Sequence, residues 1–183
     1  MAKTIGIFVG SLRKESFSKK IAKNIVEMAP AGLEFKIINI GELPLYNQDF
    51  DDDNQAPASY DTFRQEVKSF DGFLFITPEY NRSIPGVLKN ALDVGSRPYG
   101  QSVWDGKPGA DFSNSPGNLS GFGANHHLRQ CLVFLNVLVM QQPEVYLADI
   151  HKALNDDGQL QGSVKDFVQQ AVDAFAAWVD RLA

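Results

Sequence analysis

Two loops carry most of the residues able to do chemistry in this chain. The first reads GSLRKESFS at 10–18 and gathers Ser11, Ser16, Ser18 and Arg13 at the entry to a helical pattern. A helix start offers unpaired backbone N–H groups and a partial positive charge, and a guanidinium forks onto phosphate oxygens. Anion binding, phosphate above all, is the chemistry such a set supports. The first turn sharpens the point. Lys19 and Lys20 stand where a helix start favours Asp or Glu, and a capping box from Ser16 calls for Glu or Gln at position 19. A basic first turn is locally unfavourable, and a bound dianion would reverse that. The other reading is a capped helix with solvated lysines.

The second loop opens TPEYNRSIPGVLKNALD at 77–93. Pro78 ends an apolar run. Tyr80 offers an aromatic face and Asn81 an amide, and the backbone of 78–81 offers donors and acceptors. A flat heteroaromatic ring suits such a loop; the alternative is an ordinary turn before a helix that starts at Pro85.

The remaining candidates are weaker. His126, His127 and Arg129 lack the cysteine or carboxylate that would complete a metal set, and adjacent histidines diverge on a helix. They are better read as lining a contact between subunits, and Cys131 as a core thiol. The acidic run DFDDD at 49–53 fails as a calcium loop, because Asn54 replaces the glycine and Tyr60 the final Glu. GKP at 106–108 is not a P-loop, the first turn holds only Gly10 of a GxGxxG motif, and no GxSxG elbow occurs.

The elements that must position the two loops follow from periodicity. Apolar runs at 4–9 and 72–77, an alternating β-rich segment at 33–40, a weaker run at 107–112 and a last one at 139–147, interrupted by Pro143, read as strands. Helical spacing appears at 16–29, 60–70, 84–94, 125–138 and 163–182, with 41–57 as loop. Strands without strict alternation are covered on both faces, so the sheet is parallel with helices on each side. Right-handed crossovers then favour a three-layer, doubly wound, flavodoxin-like α/β sandwich with a five-stranded parallel sheet in order 2-1-3-4-5, whose binding crevice lies at the carboxyl ends of the strands. The 183 residues are expected to form one domain.

A net charge of −5 argues against nucleic acid as a partner. The single cysteine fits a reducing cytoplasm, and no apolar run is long enough to span a membrane.

The pair of loops, with SPG and HHLRQ downstream, resembles the NADPH-dependent FMN reductase family over about residues 4–182, and within it the quinone and chromate reductase branch. The resemblance implies that Ser11, Arg13, Ser16, Phe17 and Ser18 hold the FMN phosphate. It implies that Pro78, Glu79, Tyr80 and Asn81 border the isoalloxazine, with Ser113, Ser115 and Gly117 at its other side. It further implies NADPH or NADH as hydride donor, ping-pong kinetics, and quinones, flavins, azo compounds or metal oxyanions such as chromate as acceptors. No protein catalytic residue is required, and a homodimer or homotetramer is expected. Arg97 and Tyr99 are candidates to reach the site or a neighbouring subunit. A flavodoxin-like electron carrier serving protein partners is the alternative. One departure stands out: Gly109 and Asp111 fall inside the fourth strand. Either that strand ends early or Asp111 points into the site, where a carboxylate would disfavour an anionic reduced flavin.

Overall fold

The computed structural model describes residues 2–182. In chain order the elements are β1 (Lys3–Val9), α1 (Phe17–Glu27), β2 (Leu33–Ile38), α2 (Gln48–Asp52), α3 (Ala58–Lys68), β3 (Gly72–Thr77), α4 (Gly86–Gly95), β4 (Pro108–Asn114), α5 (Phe122–Phe134), β5 (Leu138–Val139), β6 (Val145–Leu147) and α6 (Gly162–Leu182). The strands are parallel in the order β2-β1-β3-β4-β5, and β6 also pairs with β4. This is the doubly wound order expected from the alternation of apolar runs and helical stripes.

Side chains of a strand alternate between its faces, so each strand feeds two cores. On one face Ile5, Ile7, Leu74, Ile76 and Phe112 pack against Ile21 and Ile25 of α1 and Phe175 of α6. On the other, Phe8, Phe73 and Phe75 meet Phe63 of α3, Leu88 of α4, Leu132 of α5 and Trp104. Every residue of β3 and β4 is buried, which is why neither strand shows polar alternation. Each fully buried large apolar side chain contributes on the order of 1.5–3 kcal/mol.

The structure corrects several boundaries. The segment 41–57 contains α2, started by Asn47, whose side chain accepts from the Asp49 N–H. Helix α5 spans 122–134 rather than 125–138. It stops because Asn136 turns left-handed (φ 56°) and sends the chain into β5. The last strand is two short pieces, β5 and β6, which pair with opposite ends of β4 on either side of Pro143.

The fourth strand neither ends early nor turns Asp111 into a cleft. It runs to Asn114, and Asp111 faces α5, where its Oδ1 accepts from Arg129 Nη1 at 2.7 Å. Gly109 is required by close approach: a Cβ there would lie 2.5 Å from Val137 Cγ1, so the chain leaving α5 can press against β4 only over a glycine. Among the described residues no helix is long and apolar enough to cross a membrane.

Candidate functional site

At the carboxyl ends of β1, β3 and β4, three loops converge on a cleft of about 240 Å³. Its walls are Ser11, Arg13, Ser16, Phe17 and Ser18 from the first loop, Pro78, Glu79 and Tyr80 from the second, and Asn114, Ser115 and Pro116 from the third.

The first wall is the start of α1. Ser16 caps the helix: its Oγ accepts from the Lys19 N–H at 3.2 Å. The Phe17 and Ser18 N–H groups have no hydrogen-bond partner among the described residues. No acidic residue lies in the first turn. Arg13 spends one donor on the Glu15 carbonyl and lies over the Phe17 ring at 5.9 Å, which leaves most of its guanidinium uncommitted. Free donors, the helix dipole and an arginine together make an anion cradle.

The second wall is a tight turn. Tyr80 and Ser83 exchange both backbone hydrogen bonds at 2.9 Å, and Asn81 and Arg82 between them are left-handed (φ 50° and 65°). Positive φ at both central residues is the type I′ geometry. It presents the half-exposed Tyr80 ring at the cleft, which Asn81 does not line. Glu79 anchors this turn to α5. That helix begins at Gly121 without a side-chain cap. Glu79 Oε2 accepts from the Ala124 N–H at 3.0 Å and Oε1 accepts from Arg82 Nη1 at 3.1 Å. The carboxylate reaches so far in because position 123 is glycine: a Cβ there would sit 3.0 Å from Oε2.

The third wall is tied to the others by Asn114. Its Nδ2 donates to Ser18 Oγ at 2.9 Å and to the Thr77 carbonyl at 3.3 Å, so one buried amide joins the ends of β3 and β4 to the start of α1. Asn114 and Pro116 lie inside the 113–117 loop that the resemblance places beside the ring, but the sequence singles out only Ser113, Ser115 and Gly117 there. Ser113 lies beneath the start of α5, and its Oγ donates to the Val145 carbonyl at 3.4 Å. Gly117 accepts from Asp149 beyond the cleft. Neither Ser113, Gly117 nor Asn81 lines the cleft, whereas the other nine residues named from the sequence do.

Arg97 and Tyr99 lie away from it; Arg97 borders a separate surface pocket with Lys68 and Lys107, and Tyr99 is almost fully exposed. His127 Nδ1 meets Ser83 Oγ at 2.7 Å, and His126 Nε2 meets the Tyr146 hydroxyl at 3.0 Å. Burial and the neighbouring Glu144 push the Tyr146 phenol up to about 12. Burial likewise raises Asp111 to about 6, against the pull of Arg129, and its Oδ2 is unpaired. Burial raises the Cys131 thiol as well, which makes it a poor nucleophile.

An α/β sandwich with an anion cradle at the carboxyl end of its first strand, facing an aromatic turn, defines a phosphate-anchored cofactor protein. Comparison with known proteins narrows the class. The profile of the NADPH-dependent FMN reductase family matches residues 3–152. A quinone reductase of Pseudomonas putida is 52% identical over 176 residues, covering 96% of this chain and 94% of that one. A 2-hydroxy-1,4-benzoquinone reductase of a Burkholderia species is 44% identical over 180 residues, 98% and 97% of the two chains. Among solved structures, the flavoenzyme NAD(P)H:(acceptor) oxidoreductase FerB of Paracoccus denitrificans superposes with a TM-score of 0.91 at 40% identity, covering 99% of each chain. The chain belongs to the NADPH-dependent FMN reductase family: it is an oxidoreductase whose cofactor is FMN and whose electron donor is NAD(P)H.

The cleft fits that cofactor on its own chemistry. The unpartnered Phe17 and Ser18 N–H groups, the Ser11 hydroxyl and Arg13 would hold the phosphate. Pro78, Tyr80, Ser115 and Pro116 would flank the ring system.

Proposed function

We propose that this chain reduces quinones, and more loosely other small acceptors, with electrons from NAD(P)H. The observation that carries the reading is the convergence of a phosphate cradle, an aromatic turn and the NSP loop on one open cleft. FMN, when bound, would supply the redox chemistry that links the nicotinamide to the acceptor. The protein binds and orients. The start of α1 fixes the phosphate end, the type I′ turn presents Tyr80, and the Glu79 and Asn114 hydrogen bonds keep the walls in register. Neither a nucleophile nor an acid–base pair is needed among these side chains.

Donor and acceptor share one opening and use it in turn, which makes the kinetics ping-pong. Flat quinones suit the Tyr80 side. Flavins, azo compounds and metal oxyanions such as chromate enter by the same opening as incidental acceptors. The chain acts as one domain in a reducing cytoplasm. It pairs with further copies of itself through α5, whose Val133 and Phe134 side chains are 69% and 86% exposed, and through the loop around the exposed Tyr99.

An anaerobic absorbance experiment tests this. NADPH should bleach the flavin bands of the purified protein within seconds, and 1,4-benzoquinone should restore them. Initial rates with both substrates varied should give parallel double-reciprocal lines. A flavin that NADPH leaves oxidised would overturn the reading and place the chain with electron carriers. Arg13→Ala should weaken FMN binding severalfold by fluorescence titration, because a charge-assisted contact is lost.

A further inference from the structure

A second groove, of about 280 Å³, opens on the far side of the first loop, between α1 and the edge strand β2. It touches the cleft at Ser11, which lines both. Its floor is apolar, built from Val9, Leu12 and Ile37. Leu12 is 55% exposed and Ile37 42%, so this floor faces water. Its rim is cationic, with Lys19 and Lys23 one turn apart on α1.

The charges around it are unbalanced. Lys20, between the two, pairs with Glu15, and Lys36 on the other face of β2 pairs with Glu66. Lys19 and Lys23 have no carboxylate partner among the described residues, and no acidic side chain lines the groove. Lys19 Nζ donates to the Leu12 carbonyl at 3.0 Å, which holds its ammonium over the loop. Like charges at this spacing destabilise a helix. A phosphate placed between them would turn that repulsion into attraction, and a flat apolar ring would cover Leu12 and Ile37.

We propose that this groove receives the adenosine end of NADPH, with its 2′-phosphate between Lys19 and Lys23, and so separates NADPH from NADH. The inference rests on the adjoining cleft being the FMN and nicotinamide site. In the competing account both lysines simply lay their stems over apolar surface and keep their heads in water. That account predicts no preference for a 2′-phosphate.

The test uses FMN-loaded protein and two probes in titration calorimetry, adenosine 2′,5′-bisphosphate and adenosine 5′-monophosphate. The bisphosphate should bind roughly tenfold more tightly, as an added charge-assisted contact requires. Lys23→Gln should cut that advantage about fivefold, and Lys23→Arg should restore it, since the head group needs only its charge and donors. In turnover, Lys23→Gln should raise the KM for NADPH and lower the NADPH-to-NADH specificity ratio by a similar factor. Equal affinity for the two probes, or an unchanged preference in Lys23→Gln, overturns the proposal. Failure of the cleft reading shows separately, as an absence of flavin uptake in a fluorescence titration. In that event the same probes on the flavin-free chain still decide whether the groove prefers a 2′-phosphate.

Discussion

Helices α1 and α5 both begin at the carboxyl edge of the sheet, beside the same cleft, and they treat their positive ends in opposite ways. Helix α5 starts at Gly121 with no cap and no acidic residue in its first turn, and the fold brings it a carboxylate, Glu79, from the loop after β3. Helix α1 has a neutral cap in Ser16, no acidic first turn, and two lysines where acids would be favoured. One helix start receives a carboxylate from a distant loop, and the other receives none among the described residues. A helix start that lacks an acid therefore marks a ligand only where the fold has not supplied the anion from another loop.

Three changes would break or sharpen this contrast. The largest effect belongs to Arg129→Met. If α5 is held mainly by its middle, where Arg129 pairs with Asp111, rather than by Glu79 at its start, that variant will dominate. It leaves Asp111 buried without a cation and should cost about 3–5 kcal/mol by urea denaturation. The same pair sets a pH signature. Asp111 is raised in the native protein to about 6, from about 3.9 in an unfolded chain. The folded state therefore binds more protons between those values. This contribution to stability is complete below the lower value and is lost as pH rises through the upper one. Wild-type protein should gain more stability from pH 7 to pH 5 than Asp111→Asn, and identical pH profiles would show that Asp111 titrates elsewhere.

Next comes Lys19→Glu, which gives α1 the acid it lacks and completes a capping box with Ser16. FMN should bind roughly tenfold more weakly, or about 1.4 kcal/mol, because the new carboxylate opposes the phosphate. The flavin-free protein should meanwhile gain a few tenths of a kcal/mol from the improved cap. Opposite signs in the two measurements would establish that the basic turn serves a ligand; a loss in both would point to a structural lysine.

Glu79→Gln should be the mildest. An acceptor for the Ala124 N–H remains, and only the charge at the α5 start is removed, which is worth about 0.3–1 kcal/mol in a urea melt. A much larger loss would mean that Glu79 also fixes the type I′ turn through Arg82.

Much of this was legible in the residue order. The continuous apolar runs 4–9 and 72–77 read as strands covered on both faces, and the topology followed from their alternation with helical stripes. The first loop was legible because its chemistry is local: Ser16, Lys19 and Arg13 act on backbone a few residues away. What depended on distant partners was not. Asp111 announced a need for a partner, but its partner is Arg129 on the next helix, and no spacing rule joins them. Glu79 reads as part of a ring-binding motif, while its carboxylate is spent on the start of α5. Asn114 fell within the 113–117 loop assigned to the ring, but its tie to Ser18 and Thr77 joins residues 96 and 37 positions apart, which no local pattern shows. The break in the last strand was visible as Pro143, yet two pieces pairing with opposite ends of β4 could not be inferred from it. Helix α2 left a readable sign, the Asn47 cap followed by Asp49 and Asp51, in a segment too polar to show a periodic stripe.

The divided last strand also bears on how this protein behaves in a crowded cell. An outer strand is a row of unpaired N–H and C=O groups, and a long flat one invites another chain to add itself and seed aggregation. Here the outer rim beyond β4 is two residues of β5 and three of β6, with a proline between them that has no N–H to offer. No stretch of that rim is long enough to template a foreign strand, so the edge nearest the NSP loop is protected from aggregation by its own irregularity.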